Sequence, residues 1–337
     1  MNLMIQRIRN PESRNDQMPL PIEKAVIEIC GSCNYSCVFC PHSFEEGREK
    51  SFRRMMNYQT FLKILDQLKD TNVKEIYIEG SGEPTMNKKL PDFIKAGTDN
   101  GFKMSFITNG FWFKDDLMKR SIDNGMNFAR ISVTGYNPKT YLEQMSKDAF
   151  YQVMDNANAA IEYAGNNFSI GSYSLILDND QEEYEVEQYR KNWIDHVPGV
   201  KASIWKMHNW SGQLGVDWRM GRKKRSCGRP FSPDLIVRAG GNDGKHAAVV
   251  PCCMVLGQDS KAVMGHLSDQ TIEEVWYGEE YNKLRKAHEM HDFDSIDYCK
   301  NCDMLYDAPE ALVWSNFDGA DYNNLSGSTI NMAEYRV

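Results

Sequence analysis

Short apolar, β-branched runs alternate with longer amphipathic stretches along most of this chain. The runs at 26–29, 75–79, 103–108, 128–133, 169–177 and 202–207 have the length and composition of strands. The stretches at 58–68, 90–100, 115–124, 150–163 and 182–196 carry helical periodicity. Strand followed by helix, repeated, is the pattern of a parallel sheet covered by helices. The pattern predicts an α/β protein, a partial (β/α)6 TIM-like barrel that ends near Trp218, where the composition changes. In parallel α/β folds ligands bind among the loops at the carboxyl ends of the strands. The residues just after each strand are therefore where chemistry is expected.

Composition narrows the reading. With 337 residues the chain is long enough for a main domain and a smaller second one. Its 41% hydrophobic and 26% charged residues are ordinary for a globular protein. No apolar stretch approaches the ~20 residues a membrane span needs, so a cytoplasmic protein with no membrane partner is expected. A net charge of −8 argues against a nucleic-acid surface. Arg219, Arg222, Lys223, Lys224 and Arg225 form one basic cluster, either a solvated loop or a contact for an anionic substrate or partner. Nine cysteines, an odd number in a long chain without a secretory signal, disfavour a disulfide framework.

Cys33, Cys37 and Cys40 form a C-x3-C-x2-C run with Phe39 before the last cysteine. Four-iron clusters ordinarily take four thiolates, so a triad holds three irons and leaves the fourth open. Cys30 sits three residues before Cys33, and a C-x2-C pair is also half of a zinc site. Because Cys30 closes an apolar run, it reads as a buried thiol near the cluster and not as a ligand. The triad resembles the signature of radical S-adenosylmethionine (radical SAM) enzymes. That resemblance implies a catalytic [4Fe-4S] cluster whose open iron chelates the amino and carboxylate groups of S-adenosylmethionine (SAM). Reductive cleavage of SAM would then yield a 5′-deoxyadenosyl radical, with a flavodoxin or ferredoxin as electron donor.

The strand ends extend the resemblance. The second strand runs into Glu79-Gly80-Ser81-Gly82-Glu83-Pro84, similar to the family's GGEP-type turn, which implies Gly82 and Glu83 as contacts for the SAM amino group. The third ends in Thr108-Asn109-Gly110 and the fourth in Ser132-Val133-Thr134-Gly135, implying Asn109 and Ser132 at the SAM ribose or carboxylate, with Phe39 beside them. Many relatives carry an acid where Thr134 stands, so no acid role is expected there. The sixth strand leads into Lys206-Met207-His208-Asn209, which makes Lys206 and His208 candidates for substrate contact, against the ordinary structural role of a lone histidine.

A second cysteine set follows. Cys227 precedes a hairpin with strands at 235–238 and 247–250 across a glycine-rich turn at 240–244, then Cys252-Cys253, a helix at 271–288 and Cys299-Lys300-Asn301-Cys302. This order resembles the SPASM/twitch extension of radical SAM enzymes. It implies an auxiliary [4Fe-4S] cluster on Cys227, Cys252, Cys299 and Cys302, with Cys253 left over. Four thiolates suit zinc equally well. The division expected is an N-terminal extension at 1–20, a radical SAM partial barrel at 21–218, an auxiliary-cluster domain at 219–305 and a tail at 306–337.

The one-cluster arrangement resembles that of the 2-deoxy-scyllo-inosamine dehydrogenase type, which implies oxidation of a sugar or aminocyclitol alcohol. Cys253, if free to donate a hydrogen atom, would instead fit a sugar epimerase; an adjacent cysteine pair is equally a packing feature. Peptide maturation is the third enzyme reading, less favoured because only about twenty residues precede the first strand. A metal-binding interaction protein, which needs neither Glu83 nor the strand-end polar groups, is the reading from another class.

Overall fold

The computed structural model describes residues 20–43, 54–177, 181–214, 223–240, 245–255 and 262–306. Asn57 starts the first helix, α1 (Tyr58–Leu68), because its side-chain oxygen accepts from the N–H groups of Gln59 (2.9 Å) and Thr60 (3.2 Å). Those donors would otherwise have no partner in the first turn. Phe61, Ile64, Leu65 and Leu68 then fall on one stripe and are buried in the main core. Phe93 of α2 (Leu90–Asp99) meets that stripe edge-on, 4.9 Å from the Phe61 ring and 5.2 Å from Tyr58.

Six parallel strands alternate with helices as the pattern predicts: β1 (Lys24–Ile27), β2 (Glu75–Ile78), β3 (Lys103–Thr108), β4 (Met126–Ser132), β5 (Ser169–Ile176) and β6 (Lys201–Lys206). Helices α3 (Asp115–Asp123), α4 (Pro138–Met145), α5 (Phe150–Ala164) and α6 (Glu182–Asn192) lie between later strands. The partial barrel is open. Among the described residues the sheet order is β6-β5-β4-β3-β2-β1-β7-β8-β9, so β1 is not an edge. β7 (Asp234–Gly240) pairs parallel with it, β8 (His246–Val250) returns antiparallel, and β9 (Gly265–His266) adds to β8. The C-terminal hairpin thus continues the barrel's sheet, which brings the second cysteine set beside the first strand.

Two expectations change. The single helix expected at 271–288 is two, α7 (Ile272–Trp276) and α8 (Glu279–Glu289), broken at Gly278. Gly278 has extended backbone (φ −68°, ψ 167°), and a Cβ there would stand 2.8 Å from the Glu274 carbonyl. Helix α4 was not foreseen. It starts on a capping box in which Asn137 accepts from Thr140 N (2.9 Å) while Thr140 Oγ1 accepts from Asn137 N (3.1 Å), with Pro138 in its first turn.

The sheet has two apolar faces of unequal size. One joins the main core under the helices. On the other, Val26, Tyr77, Ile236 and Val250 form a separate small cluster at the barrel interior, where polar side chains such as Arg130 and Tyr173 share the face with apolar ones such as Phe128 and Leu175. Lys24 Nζ lies 4.2 Å over the Tyr77 ring, Tyr77 donates to Glu75 (3.0 Å), and Arg130 lies 5.2 Å over Tyr173.

Candidate active site

The loop that leaves β1 carries Cys33, Cys37 and Cys40, and the protein holds it from three sides. Gly31 N donates to Arg54 O (2.8 Å) and Met56 N to Ile29 O (3.1 Å), so a returning segment pins its start. His42, buried, places Nε2 2.9 Å from Gly31 O and closes the loop on itself. Helix α4 supplies the third side: Val38 N donates to Gln144 O (3.0 Å), and the Tyr35 and Tyr141 hydroxyls stand 3.1 Å apart. Phe39 is buried in the main core. Cys30 lies one turn away with its thiol on Ser32 O (3.4 Å).

Burial pushes the Cys33 thiol up to about 12 and the Cys40 thiol up to about 11, and lifts Cys37 well above its ordinary value. After burial, the Glu83 charge acts on Cys33, while Cys40 and then Cys33 act on Cys37. The three thiols therefore share one low-dielectric pocket that disfavours free thiolates. Bound iron reverses that preference, since a coordinating thiol is deprotonated outright. Among the described residues no three His, Cys, Asp or Glu side chains converge on the position of a single metal ion. Each thiolate of a four-iron cluster meets its own iron, and soft thiols on one loop are the donors such a cluster takes.

Glu83 is 2% exposed and accepts four hydrogen bonds. Oε1 takes Thr85 N (3.0 Å), Thr85 Oγ1 (2.6 Å) and Thr108 Oγ1 (2.6 Å); Oε2 takes Asn109 N (2.7 Å). Burial raises its pKa, and the donors from Asn109, Thr108 and Thr85 oppose that rise. Oε2, with one donor, keeps a lone pair for a cation. Gly82 packs directly under the cysteine loop, where a Cβ would stand 2.4 Å from the carbonyls of Cys30 and Ser32. Asn109 Nδ2 donates to Asn34 Oδ1 (2.7 Å), which ties the end of β3 to the cysteine loop. Asn34 Nδ2 and Gln144 Oε1 are buried without a hydrogen-bond partner. Two orphaned polar atoms beside the cysteine loop fit a ligand that brings its own acceptors and donors, as the carboxylate, ammonium and ribose of SAM do. Ser132 stands on β4 in register with Tyr173, half-buried. Thr134 is buried and its hydroxyl has no partner among the described residues.

The second cysteine set lies across β7. Cys302 N donates to Cys299 O (2.8 Å), and Cys302, Phe293 and Leu305 form a small core against which Cys227 and Cys299 pack. After burial, the Cys252 charge is the largest influence on both Cys299 and Cys302, and Cys227 acts on both as well. Burial opposes the charge on Arg229, but the thiols of Cys253, Cys252 and Cys227 more than offset it. The Arg229 guanidinium in turn lowers the pKa of Cys252 and Cys227 against the effect of burial, and so favours their thiolates. Cys253 faces both ways: it packs on the interior cluster of Val26, Tyr77, Ile236 and Val250 and acts electrostatically on Tyr173 across the barrel, and it also acts on Cys252, Cys227 and Arg229.

The β6 loop joins the two halves. Asn209 N donates to Asp303 Oδ2 (2.8 Å), Asp303 N to Asn209 Oδ1 (3.0 Å), and Asn209 Nδ2 to Asn301 O (2.8 Å). His208 sits at this junction, its Nδ1 accepting from Trp210 N (3.3 Å) and its ring 4.4 Å from the Trp210 ring. The backbone of Lys206 ends β6 in register with Ile176, and its side chain lies outside the described residues, as do Arg219 and Arg222 of the basic cluster and 241–244 of the hairpin turn. Lys224 is committed to Asp294 (2.5 Å).

Several polar residues on or beside the sheet's interior face were not foreseen: Glu28, Arg238, Glu79, Arg130 and Tyr173. The signal that could have found them is a charge or tyrosine at every second position of a strand, as in Glu75, Tyr77 and Glu79. Such alternation marks a polar interior face.

Comparison with known proteins agrees with this geometry. The Radical SAM superfamily model matches residues 27–188, and the iron-sulfur cluster-binding SPASM model matches 235–303. Over 108 residues the chain is 32% identical to a tungsten-containing aldehyde ferredoxin oxidoreductase cofactor-modifying protein of Pyrococcus furiosus, covering 32% of this chain and 29% of that protein. Over 186 residues it is 26% identical to GTP 3′,8-cyclase of Psychromonas ingrahamii, covering 54% and 52%. The chain thus spans about half, or less, of these relatives. Among solved structures, BtrN in complex with AdoMet and 2-DOIA superposes with a TM-score of 0.56 at 19% identity, over 88% of this chain and 100% of BtrN. SuiB of Streptococcus suis bound to precursor peptide SuiA gives 0.59 at 16% identity, over 80% and 68%. Both likenesses are of fold. Three thiols after the first strand, a glycine-glutamate turn packed beneath them and a second cysteine set across β7 are the parts of one class, and the chain carries a Radical SAM domain followed by a C-terminal SPASM iron-sulfur cluster-binding domain.

Proposed function

We propose that this protein is a radical SAM oxidoreductase that removes two hydrogens from a small polar substrate, such as the alcohol of a sugar or aminocyclitol. The observation that carries it is the position of β7: its pairing with β1 brings the strand flanked by the second cysteine set beside the strand that leads into the cysteine triad. In this reading Cys33, Cys37 and Cys40 ligate the catalytic [4Fe-4S] cluster, and Cys227, Cys252, Cys299 and Cys302 the auxiliary one. The bound groups supply reductive cleavage of SAM to a 5′-deoxyadenosyl radical at the first site and uptake of one electron at the second.

The chain's own residues bind and orient. Glu83 Oε2 takes the SAM ammonium, Gly82 allows the backbone approach, and Asn109, Ser132 and Phe39 complete the cofactor contacts. Arg130, Tyr173 and Glu79 face the substrate from the barrel wall; His208 and Lys206 approach from the β6 loop. Residues 21–218 form the SAM-binding half and 219–305 the auxiliary half, with a flavodoxin or ferredoxin as reductant. Among the described residues no helix is long and apolar enough to cross a membrane; a cytoplasmic location is part of this proposal.

Anaerobic incubation of the reduced protein with SAM tests it. The expected products are 5′-deoxyadenosine and, among sugars, aminocyclitols and peptides, one compound lighter by two hydrogens. Stoichiometric zinc in place of about eight irons, the content of two four-iron clusters, would refute it. Epimerisation is the second reading, favoured by one contact: Cys253 packs on the barrel interior, where a thiol could return hydrogen to a substrate.

A further inference from the structure

His288 on α8 is 1% exposed and has no part in the reading above. Both ring nitrogens have partners. Nδ1 is 3.0 Å from Ser226 Oγ, and Nε2 is 3.6 Å from Cys299 Sγ, a hydrogen-bond distance for the larger sulfur. The ring meets Phe293 edge-on at 5.2 Å, which fixes its plane. Ser226 Oγ also accepts from Gly228 N (3.2 Å).

These contacts decide which nitrogen carries the proton once iron is bound. A cluster-bound cysteine sulfur has no proton to give, so only an Nε2–H makes a favourable contact with it. In the neutral ring Nδ1 is then an acceptor and needs a donor. The Ser226 hydroxyl is free to be that donor, because its other contact uses it as an acceptor. Ser226 immediately precedes Cys227, so one short segment supplies both a thiol of the auxiliary set and the group that orients the imidazole.

We propose that His288 donates Nε2–H to the Cys299 sulfur, with Ser226 fixing the tautomer, and thereby raises the reduction potential of the auxiliary iron-sulfur cluster. Hydrogen bonds to cluster sulfurs stabilise the reduced, more negative state, and they are one of the protein's levers on potential. The effect on function is direct: a higher potential makes the auxiliary site a better electron acceptor. His288 is a positioning and tuning residue. It does not touch substrate. The proposal rests on the reading of Cys299 as a cluster ligand.

The test is an EPR-monitored redox titration of the full-length protein, anaerobically reconstituted, in a Cys33→Ala, Cys37→Ala, Cys40→Ala background that leaves only the auxiliary signal. His288→Phe is expected to shift the midpoint to a more negative potential with iron content unchanged, and His288→Gln, which keeps an N–H donor, to recover part of the shift. Ser226→Ala is expected to shift it in the same direction by less. Pulsed EPR on the unsubstituted auxiliary cluster, in H2O against D2O, is expected to show an exchangeable proton coupled to the cluster. An unchanged midpoint in His288→Phe at full iron content overturns the proposal. So does the absence of an exchangeable proton, a measurement that needs no His288 variant to fold. If Cys299→Ala retains the auxiliary cluster, the ligand assignment falls and this proposal with it; an unchanged midpoint alone leaves that assignment standing.

Discussion

Arg238 Nη1 stands 3.6 Å from Glu28 Oε2, with the two side chains 3% and 4% exposed. Each end of this pair reaches a cofactor loop. Glu28 Oε2 accepts from Ser81 N (2.5 Å) and Ser81 Oγ (2.6 Å) in the turn beneath the cysteine triad, and Oε1 accepts from Ala239 N (3.1 Å). Arg238 Nη2 donates to the carbonyls of Cys253 (3.2 Å) and Val255 (3.0 Å) in the auxiliary loop. One ion pair therefore braces both loops against the β1–β7 seam.

Arg238→Met should destabilise the protein by about 3–5 kcal/mol, because it leaves the Glu28 carboxylate buried without its countercharge and two carbonyls without their donor. Anaerobic urea denaturation measures this as a fall in midpoint. An unchanged midpoint would show that the pair contributes nothing net. The double variant Glu28→Gln, Arg238→Met should recover part of the loss, since no unpaired charge remains.

Cys37→Ala is expected to abolish formation of 5′-deoxyadenosine and to lower iron by about four per chain, the content of one cluster. The same loss should follow at Cys33 and Cys40. SAM cleavage at the unsubstituted rate would remove Cys37 from the ligand set.

Glu83→Gln should weaken SAM binding by roughly 10–100-fold, the worth of about 1.5–3 kcal/mol for a hydrogen bond to a charged group, with both clusters still assembled. The pH dependence has a definite sign. Burial raises the Glu83 pKa, so its carboxylate takes up a proton at a pH above the ordinary glutamate range of about 4.3. The ionised form attracts the SAM ammonium and the neutral form does not. SAM affinity should therefore fall as pH drops through that raised value, and Glu83→Gln should flatten the dependence. Equal slopes in calorimetric titrations of the two proteins would sink the assignment.

Cys253→Ala separates oxidation from epimerisation. If the enzyme oxidises its substrate, the variant keeps both SAM cleavage and the loss of two hydrogens. If it epimerises, the variant still cleaves SAM but forms no inverted product, because no thiol returns the hydrogen. Iron must be counted in the same sample: loss of auxiliary iron would identify Cys253, not Cys252, as the ligand.

The sequence by itself determined what local chemistry and periodicity encode. The spacing of Cys33, Cys37 and Cys40 is a property of one loop, and the alternation of apolar runs with amphipathic stretches placed all six strands within two residues of their observed ends. Helix α4 escaped because it is eight residues long and its start depends on the side chains of Asn137 and Thr140 more than on an apolar stripe. The tertiary structure decided everything that depends on pairing distant segments. β7 adds to β1 across more than two hundred residues, and only that register sets Arg238 against Glu28. Cys252 and Cys253 are neighbours in sequence with the same chemistry, and only their surroundings differ: the charge of Cys252 bears most on the thiols of Cys299 and Cys302, while Cys253 packs on Val26 and Tyr77. A side chain's surroundings in a sheet are set by the strands beside it, and those are chosen by the fold as a whole.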